Sequence, residues 1–233
     1  MARLARLYVP EQPQHVILRA SAGAARGAFG DDDDYLYFLD TLKHAARDCG
    51  LAVHAYVLMP TRVQLLATPR DAASLPGAMQ ALGRRYVAHY NRRHGASGAL
   101  WDGRYRATVL DGARFLQICS RAIETQPVVQ RLAQGVEGYR WSSYRHHVGL
   151  AVDGLITDHP IYWAMGNTPF ERQHRYREWC EQFPDAATLD ALEEATLKGW
   201  VLGDAAFHEH CRRAANRRVA PLARGRPRKM PGS

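Results

Sequence analysis

The chain has 233 residues, 46% apolar and 23% charged, with a formal net charge of +8. That length suits one domain with a substantial extension, and that composition excludes wholesale disorder. No window approaches the 18 consecutive apolar residues of a membrane span, and the N-terminal MARLARLYVPEQPQHV lacks a run of signal-peptide length, so a cytoplasmic protein is expected. Cys49, Cys119, Cys180 and Cys211 stand far apart with no CxxC, which argues against a zinc knuckle and for a reducing compartment.

In chain order, HVILRA (15–20) predicts a short strand and SAGAARGAFG a small-residue loop. Asp31 to Asp34 then supply N-cap candidates for a helix through YLYFLDTLKHAARDC that ends at Gly50. LAVHAYVLM (51–59) and RVQLLAT (62–68), joined by Pro60 and Thr61, predict a β-hairpin. Residues 72–95 predict a helix, and 97–110 a loop followed by a strand. ARFLQICSRAIETQ (113–126) predicts a helix that stops before Pro127. This order gives an α+β class, with helices on one face of a mainly antiparallel sheet. Residues 1–148 form the first unit, 149–219 a helical extension and 220–233 a disordered basic tail.

The charge is unevenly placed. Residues 206–233 hold eight Lys/Arg against Glu209, while residues 80–106 hold Arg84, Arg85, Arg92, Arg93, Arg104 and Arg106 against Asp102. Two basic regions on a near-neutral background point to a polyanion, most simply nucleic acid, or else to a solvated basic surface. In the tail, Arg224, Arg226, Arg228 and Lys229 surround an Arg-Gly-Arg-Pro core of the AT-hook kind, whose extended backbone suits a narrow A·T minor groove. Tyr90, Trp101 and Tyr105 lie among the arginines, as base-stacking platforms or as core. His208-Glu209-His210-Cys211 has metal-binding residue types, but on a helix His208 and His210 point to different faces.

AYVLMP (55–60), YNRRHG (90–95), LWDGRY (100–105), QPVVQRL (126–132) and WSSYR (141–145) occur in the order and spacing of the REP-associated tyrosine transposases of the HUH superfamily, which residues 1 to about 148 resemble. The resemblance implies a ferredoxin-like α+β domain, and a hairpin or single-stranded DNA partner cut by a tyrosine with Mg²⁺ or Mn²⁺ held by a His–hydrophobic–His pair. At the corresponding positions this chain has Arg62 and Gln64 in place of the histidines and Ala122 in place of the tyrosine. Residues 62 and 64 share a strand face, but a guanidinium has no lone pair for a metal and Gln64 offers a neutral oxygen. Ala122 has no nucleophilic atom. The expectation is therefore a catalytically degenerate DNA-binding protein without a metal or other cofactor. Alternatives are an active nickase with a substitute nucleophile (Tyr86, Tyr90 or Tyr144) or a protein-interaction remnant. Arg62 is expected to face a phosphate or to sit in a surface ion pair. Duplex contacts are expected from the tail, no membrane partner, and a monomer or weak dimer.

Overall fold

The computed structural model describes residues 6–24, 26–215 and 218–221. The basic tail residues Arg224, Arg226, Arg228 and Lys229, and hence the AT-hook-like segment, lie outside the described residues. The first unit reads β1 (Gln14–Arg19), α1 (Asp32–Cys49), β2 (Leu51–Met59), β3 (Arg62–Pro69), α2 (Ser74–His94) and β4 (Arg106–Val109). The four strands form one sheet of order β2-β3-β1-β4, every neighbour antiparallel. This is the βαββαβ arrangement of a ferredoxin-like α+β fold.

Local chemistry fixes the elements. The Asp31 carboxylate caps α1 by accepting the amides of Asp33 and Asp34, and Gly50 ends the helix in the left-handed conformation. In β1 and β3, Val16, Leu18, Val63, Leu65 and Ala67 alternate onto the core that α1 and α2 complete with Phe38, Leu42, Leu82 and Tyr86. In β2 the same face receives Leu51 and Val53, then Tyr56 and Leu58, because the register shifts between Val53 and Ala55. That bulge reverses which residues of the strand point to which face.

Sheet coverage differs from the sequence-based expectation. α1 and α2 lie on one face, as expected. The other face is covered too, by α3 (Gly112–Val129) and by the extension. Ala55, Val57, Met59, Leu66 and Leu110 pack there with Leu116, Cys119, Ala122 and Ile123 of α3 and with Leu192. Two covered faces explain why the central strands are apolar nearly throughout rather than alternating. α3 also runs through Pro127 to Val129, beyond the expected stop. Pro127 sits in the last turn, where its missing amide costs one intrahelical bond, and its ring is buried.

The first unit closes with α4 (Tyr144–His147), and the extension contains α5 (Pro160–Trp163), α6 (Pro169–Glu181), α7 (Ala186–Lys198) and α8 (Ala205–Ala215). It docks onto the first unit at several places. Tyr144, Tyr162, Tyr176 and Cys180 form a cluster of their own. Val201, Cys211 and Val219 pack with Leu7, Val9 and Val109. Among the described residues, no helix is long and apolar enough to cross a membrane.

Candidate nucleic-acid interface

β1 ends where β3 and β4 begin. The register pairs Arg19 with Arg62 and Ile17 with both Gln64 and Arg106. Cross-strand partners share a face, so Arg19, Arg62, Gln64 and Arg106 all lie on the α3 and α7 side of the sheet. The resemblance set Arg62 and Gln64 at a metal-binding position, and α7 lies against that position. Asp185 caps α7 through the Thr188 amide at 2.8 Å, and Gly199 closes it with φ of 70°. Between those ends, Glu193 meets both guanidinium nitrogens of Arg62 at 2.9 Å and Arg19 at 2.5 Å. Partial burial pushes the Glu193 carboxyl up, but the Arg62 hydrogen bonds, together with Arg19, outweigh it and hold the group below the ordinary carboxylate range.

One residue further in, buried His15 bridges the two elements. Its Nε2 lies 2.9 Å from Gln64 Oε1 and its Nδ1 2.7 Å from Thr196 Oγ1 of α7. Arg62 therefore sits in an ion pair with a residue 131 positions away rather than open to a phosphate. Nothing local in the sequence announces Glu193, Thr196 or His15 as its neighbours.

Ala122 is 2% exposed and packs within the layer that contains Leu192. A tyrosine there has no room, and overpacking a filled core costs roughly 1–3 kcal/mol. Ala122→Tyr is accordingly expected to lower the urea midpoint without a change in slope. A variant as stable as the parent would mean that α7 is easily displaced. The other tyrosines named from the sequence are also buried. Tyr86 donates to the Ala28 carbonyl at 2.6 Å and Tyr90 to the Gly27 carbonyl at 3.1 Å. Burial raises the Tyr144 hydroxyl to about 12.

The sequence-predicted arginines separate into two groups. Arg93 turns back onto the acidic start of α1, contacting Asp31 at 2.6 Å, Asp33 at 2.9 Å and Asp34 at 3.0 Å. Asp34 is fully buried; Arg93 pairs with its carboxylate and His94 Nε2 lies 2.8 Å from Oδ2. Arg84, Arg85, Arg92, Arg104 and Arg106 are exposed, and none has an ion-pair partner among the described residues. Arg92 lies in the last turn of α2, and Arg104 and Arg106 at the start of β4.

The loops complete this end of the sheet. Ala20 bridges Trp101, and the Asp102 amide bonds the Arg19 carbonyl at 2.8 Å. The 21–28 loop is pinned by the Ala28 amide on the Pro60 carbonyl at 2.6 Å. Gly27 makes that approach with φ of 73°, where a Cβ would collide with the Pro60 carbonyl. Exposed Arg26, which no sequence signal singled out, lies in this loop. Thus Arg26, Arg92, Arg104 and Arg106 are exposed on loops and element ends at this end of the sheet, Arg106 on the same face as the Arg19–Glu193–Arg62 cluster and Arg92 on the helix that covers the opposite face. The three aromatic residues are core rather than open platforms. Trp101 lies 6.2 Å from both Phe38 and Tyr86, and Tyr90 and Tyr105 are buried. In the His208–Cys211 stretch, His208 Nε2 lies 3.1 Å from the Val201 carbonyl, Glu209 pairs with Arg212 and Arg213, and Cys211 is buried.

No protein-family model and no curated protein matches the chain. Among solved structures, a putative transposase from Deinococcus radiodurans R1 is similar at 25% identity over 56% of this chain and 97% of its own, with a TM-score of 0.35. A REP-associated tyrosine transposase bound to a REP hairpin is similar over 68% of this chain and 92% of its own, at 12% identity and a TM-score of 0.54. Its coverage and superposition establish that this chain has the fold of that transposase.

Proposed function

We propose that this protein is a DNA-binding member of the REP-associated tyrosine transposase family that binds hairpin or single-stranded DNA and does not cut it. The observation that carries this reading is that Arg26, Arg92, Arg104 and Arg106 are exposed and in no ion pair among the described residues, on loops and element ends at one end of a sheet whose fold is that of a transposase solved with a REP hairpin. Guanidiniums without carboxylate partners are available to phosphates at no cost in broken ion pairs.

Support for the loss of cleavage is chemical. At the expected metal position, Arg62 is a permanent cation paired with Glu193, and the Gln64 oxygen is directed to His15. This donor set does not fit a divalent cation. Ala122 is buried and offers no nucleophile. Tyr86, Tyr90 and Tyr144 are poor substitutes, because burial favours their neutral hydroxyls.

Binding of a hairpin with unpaired flanks, followed across salt concentrations, tests the reading. Each phosphate neutralised on a single strand contributes about −0.7 to the slope of log K against log salt, so four contacts give about −3. Arg104→Gln with Arg106→Gln is expected to flatten that slope by about 1.4. A slope near zero in the parent protein would reject DNA binding and favour a protein-interaction module. On a denaturing gel with Mg²⁺ or Mn²⁺, no DNA-linked protein band is expected. A band abolished by a single Tyr→Phe change would instead establish an active nickase.

A further inference from the structure

Arg26 lines a cleft of about 180 Å³, bounded by the 21–28 loop, the last turns of α2 and the 96–100 loop. We propose that this cleft receives one unpaired nucleobase of the bound strand, with the adjoining phosphate on Arg26. This inference rests on the DNA-binding function proposed above and names where, and in what form, the strand is held.

Size is the first support. A cavity of about 150 Å³ accommodates a benzene-sized ring, so this cleft takes a planar heterocycle and excludes a base pair. The lining is the second. Gly23, Ala24, Ala96, Ser97 and Ala99 line the cleft with side chains no larger than a hydroxymethyl group, so a flat ring meets no bulky neighbour at the entrance. Its inner wall includes Leu100 and Tyr90, both 4% exposed, which supply apolar surface.

Polar capacity is the third support. Asn91 Nδ2 donates to the Gly98 carbonyl at 3.3 Å, which leaves its Oδ1 as an acceptor. The Tyr90 hydroxyl spends its proton on the Gly27 carbonyl and keeps a lone pair. Ser97 carries an exposed hydroxyl that both donates and accepts. Donors and acceptors in a cleft walled by small side chains match the edge of a nucleobase. His94, also lining the cleft, is held by Asp34 at 2.8 Å and so is a fixed wall.

Charge fixes the kind of ligand. Arg26 lines the cleft, Arg92 follows Asn91 on α2, and Arg104 follows shortly after Leu100. A strand whose base enters here brings its adjoining phosphate to Arg26. The nearby Asp31, Asp33 and Asp34 carboxylates are engaged by the Arg93 guanidinium, which reduces their opposition to it.

The test uses the full chain with two hairpins of identical stem, one blunt and one with an unpaired flank. Each flank nucleotide is replaced in turn by an abasic residue. One such replacement is expected to weaken binding to the parent protein about tenfold, within the range for a single stacked base. Ser97→Trp, an exposed substitution that fills the cleft, is expected to bind the flanked hairpin about tenfold more weakly and to be insensitive to the abasic change. Its affinity for the blunt hairpin should equal the parent's, which also shows that it is folded. Equal binding of the flanked hairpin by both proteins, or a flat abasic scan, overturns the cleft assignment and leaves DNA binding intact. Competition by a free deoxynucleoside monophosphate as strong as that by the flanked strand would make this a mononucleotide site and overturn it as well. Failure of the parent to bind either hairpin removes the DNA-binding function itself.

Discussion

Glu124→Ala is expected to destabilise the protein by about 3–5 kcal/mol, because it breaks a buried charged hydrogen-bond network by removing its acceptor. Glu124 is fully buried on α3 and accepts from His147 Nδ1 at 2.7 Å, the Tyr176 hydroxyl at 2.7 Å and the Ser143 hydroxyl. The Tyr176 and Ser143 hydroxyls have second contacts, to Ser120 and to the Tyr56 carbonyl, but His147 Nδ1 would be left in the core without a partner. Glu124→Gln keeps an acceptor oxygen and is expected to cost roughly 1–3 kcal/mol. Urea unfolding followed by tryptophan fluorescence gives both values. The partly exposed Glu193 is the internal contrast: Glu193→Ala breaks surface-type pairs worth at most about 1 kcal/mol each. A Glu124→Ala loss no larger than that of Glu193→Ala would show that the network tolerates the deletion.

The same network explains why so much of the fold was legible in the sequence. Two of the segments that carried the family resemblance meet here. Ser143 of WSSYR accepts the Tyr56 amide of AYVLMP at 2.9 Å and donates to Glu124, two residues before the QPVVQRL segment. YNRRHG supplies Tyr90 and His94, which tie α2 to the 27–28 turn and to Asp34. LWDGRY supplies the bridge from Trp101 to Ala20. These segments hold the sheet to its loops and helices, and Arg62, Gln64 and Ala122 lie outside them. Strands, hairpin and caps were readable for the usual local reasons: alternation, a two-residue turn, and an aspartate before a helix.

The second face of the sheet was not readable. Part of its cover comes from α7, which begins 117 positions beyond the end of β3. The sheet-facing side of α7 carries Leu192, Glu193 and Thr196, which meet the α3 layer, the Arg19–Arg62 pair and His15. Likewise the basic run at 84–106 showed charge without direction. Folding turns Arg93 inward to the buried Asp34, leaves Arg92, Arg104 and Arg106 without ion pairs among the described residues, and adds Arg26 from a distant loop. Side-chain charge is written in the sequence, but its neutralisation depends on contacts between distant segments.

Acid sensitivity follows from two of those distant contacts. Burial lowers the pKa of both His15 and His54 to about 4, with Gln64 and the Thr157 carbonyl only partly opposing it and neighbouring Arg62 and His159 adding to it. In the unfolded chain each titrates near 6.5. Between pH 6.5 and 4 the unfolded state therefore binds more protons than the folded one, and stability falls as pH falls through that window. Each histidine contributes up to about 3 kcal/mol of loss, so the pair outweighs any surface ion pair. Glu193 acts in the same direction at lower pH, because its lowered carboxyl loses the Arg62 contact on protonation. Unfolding free energies from urea titrations at half-unit steps are expected to drop most steeply near pH 5. In His15→Gln the residue still spans toward Gln64 and Thr196 but cannot ionise, so the decline between pH 6.5 and 4 should shrink to roughly half while the value at pH 8 falls by a smaller amount. An unchanged decline would mean that His15 is protonated in the folded state, with α7 lifted from the sheet to let water reach it.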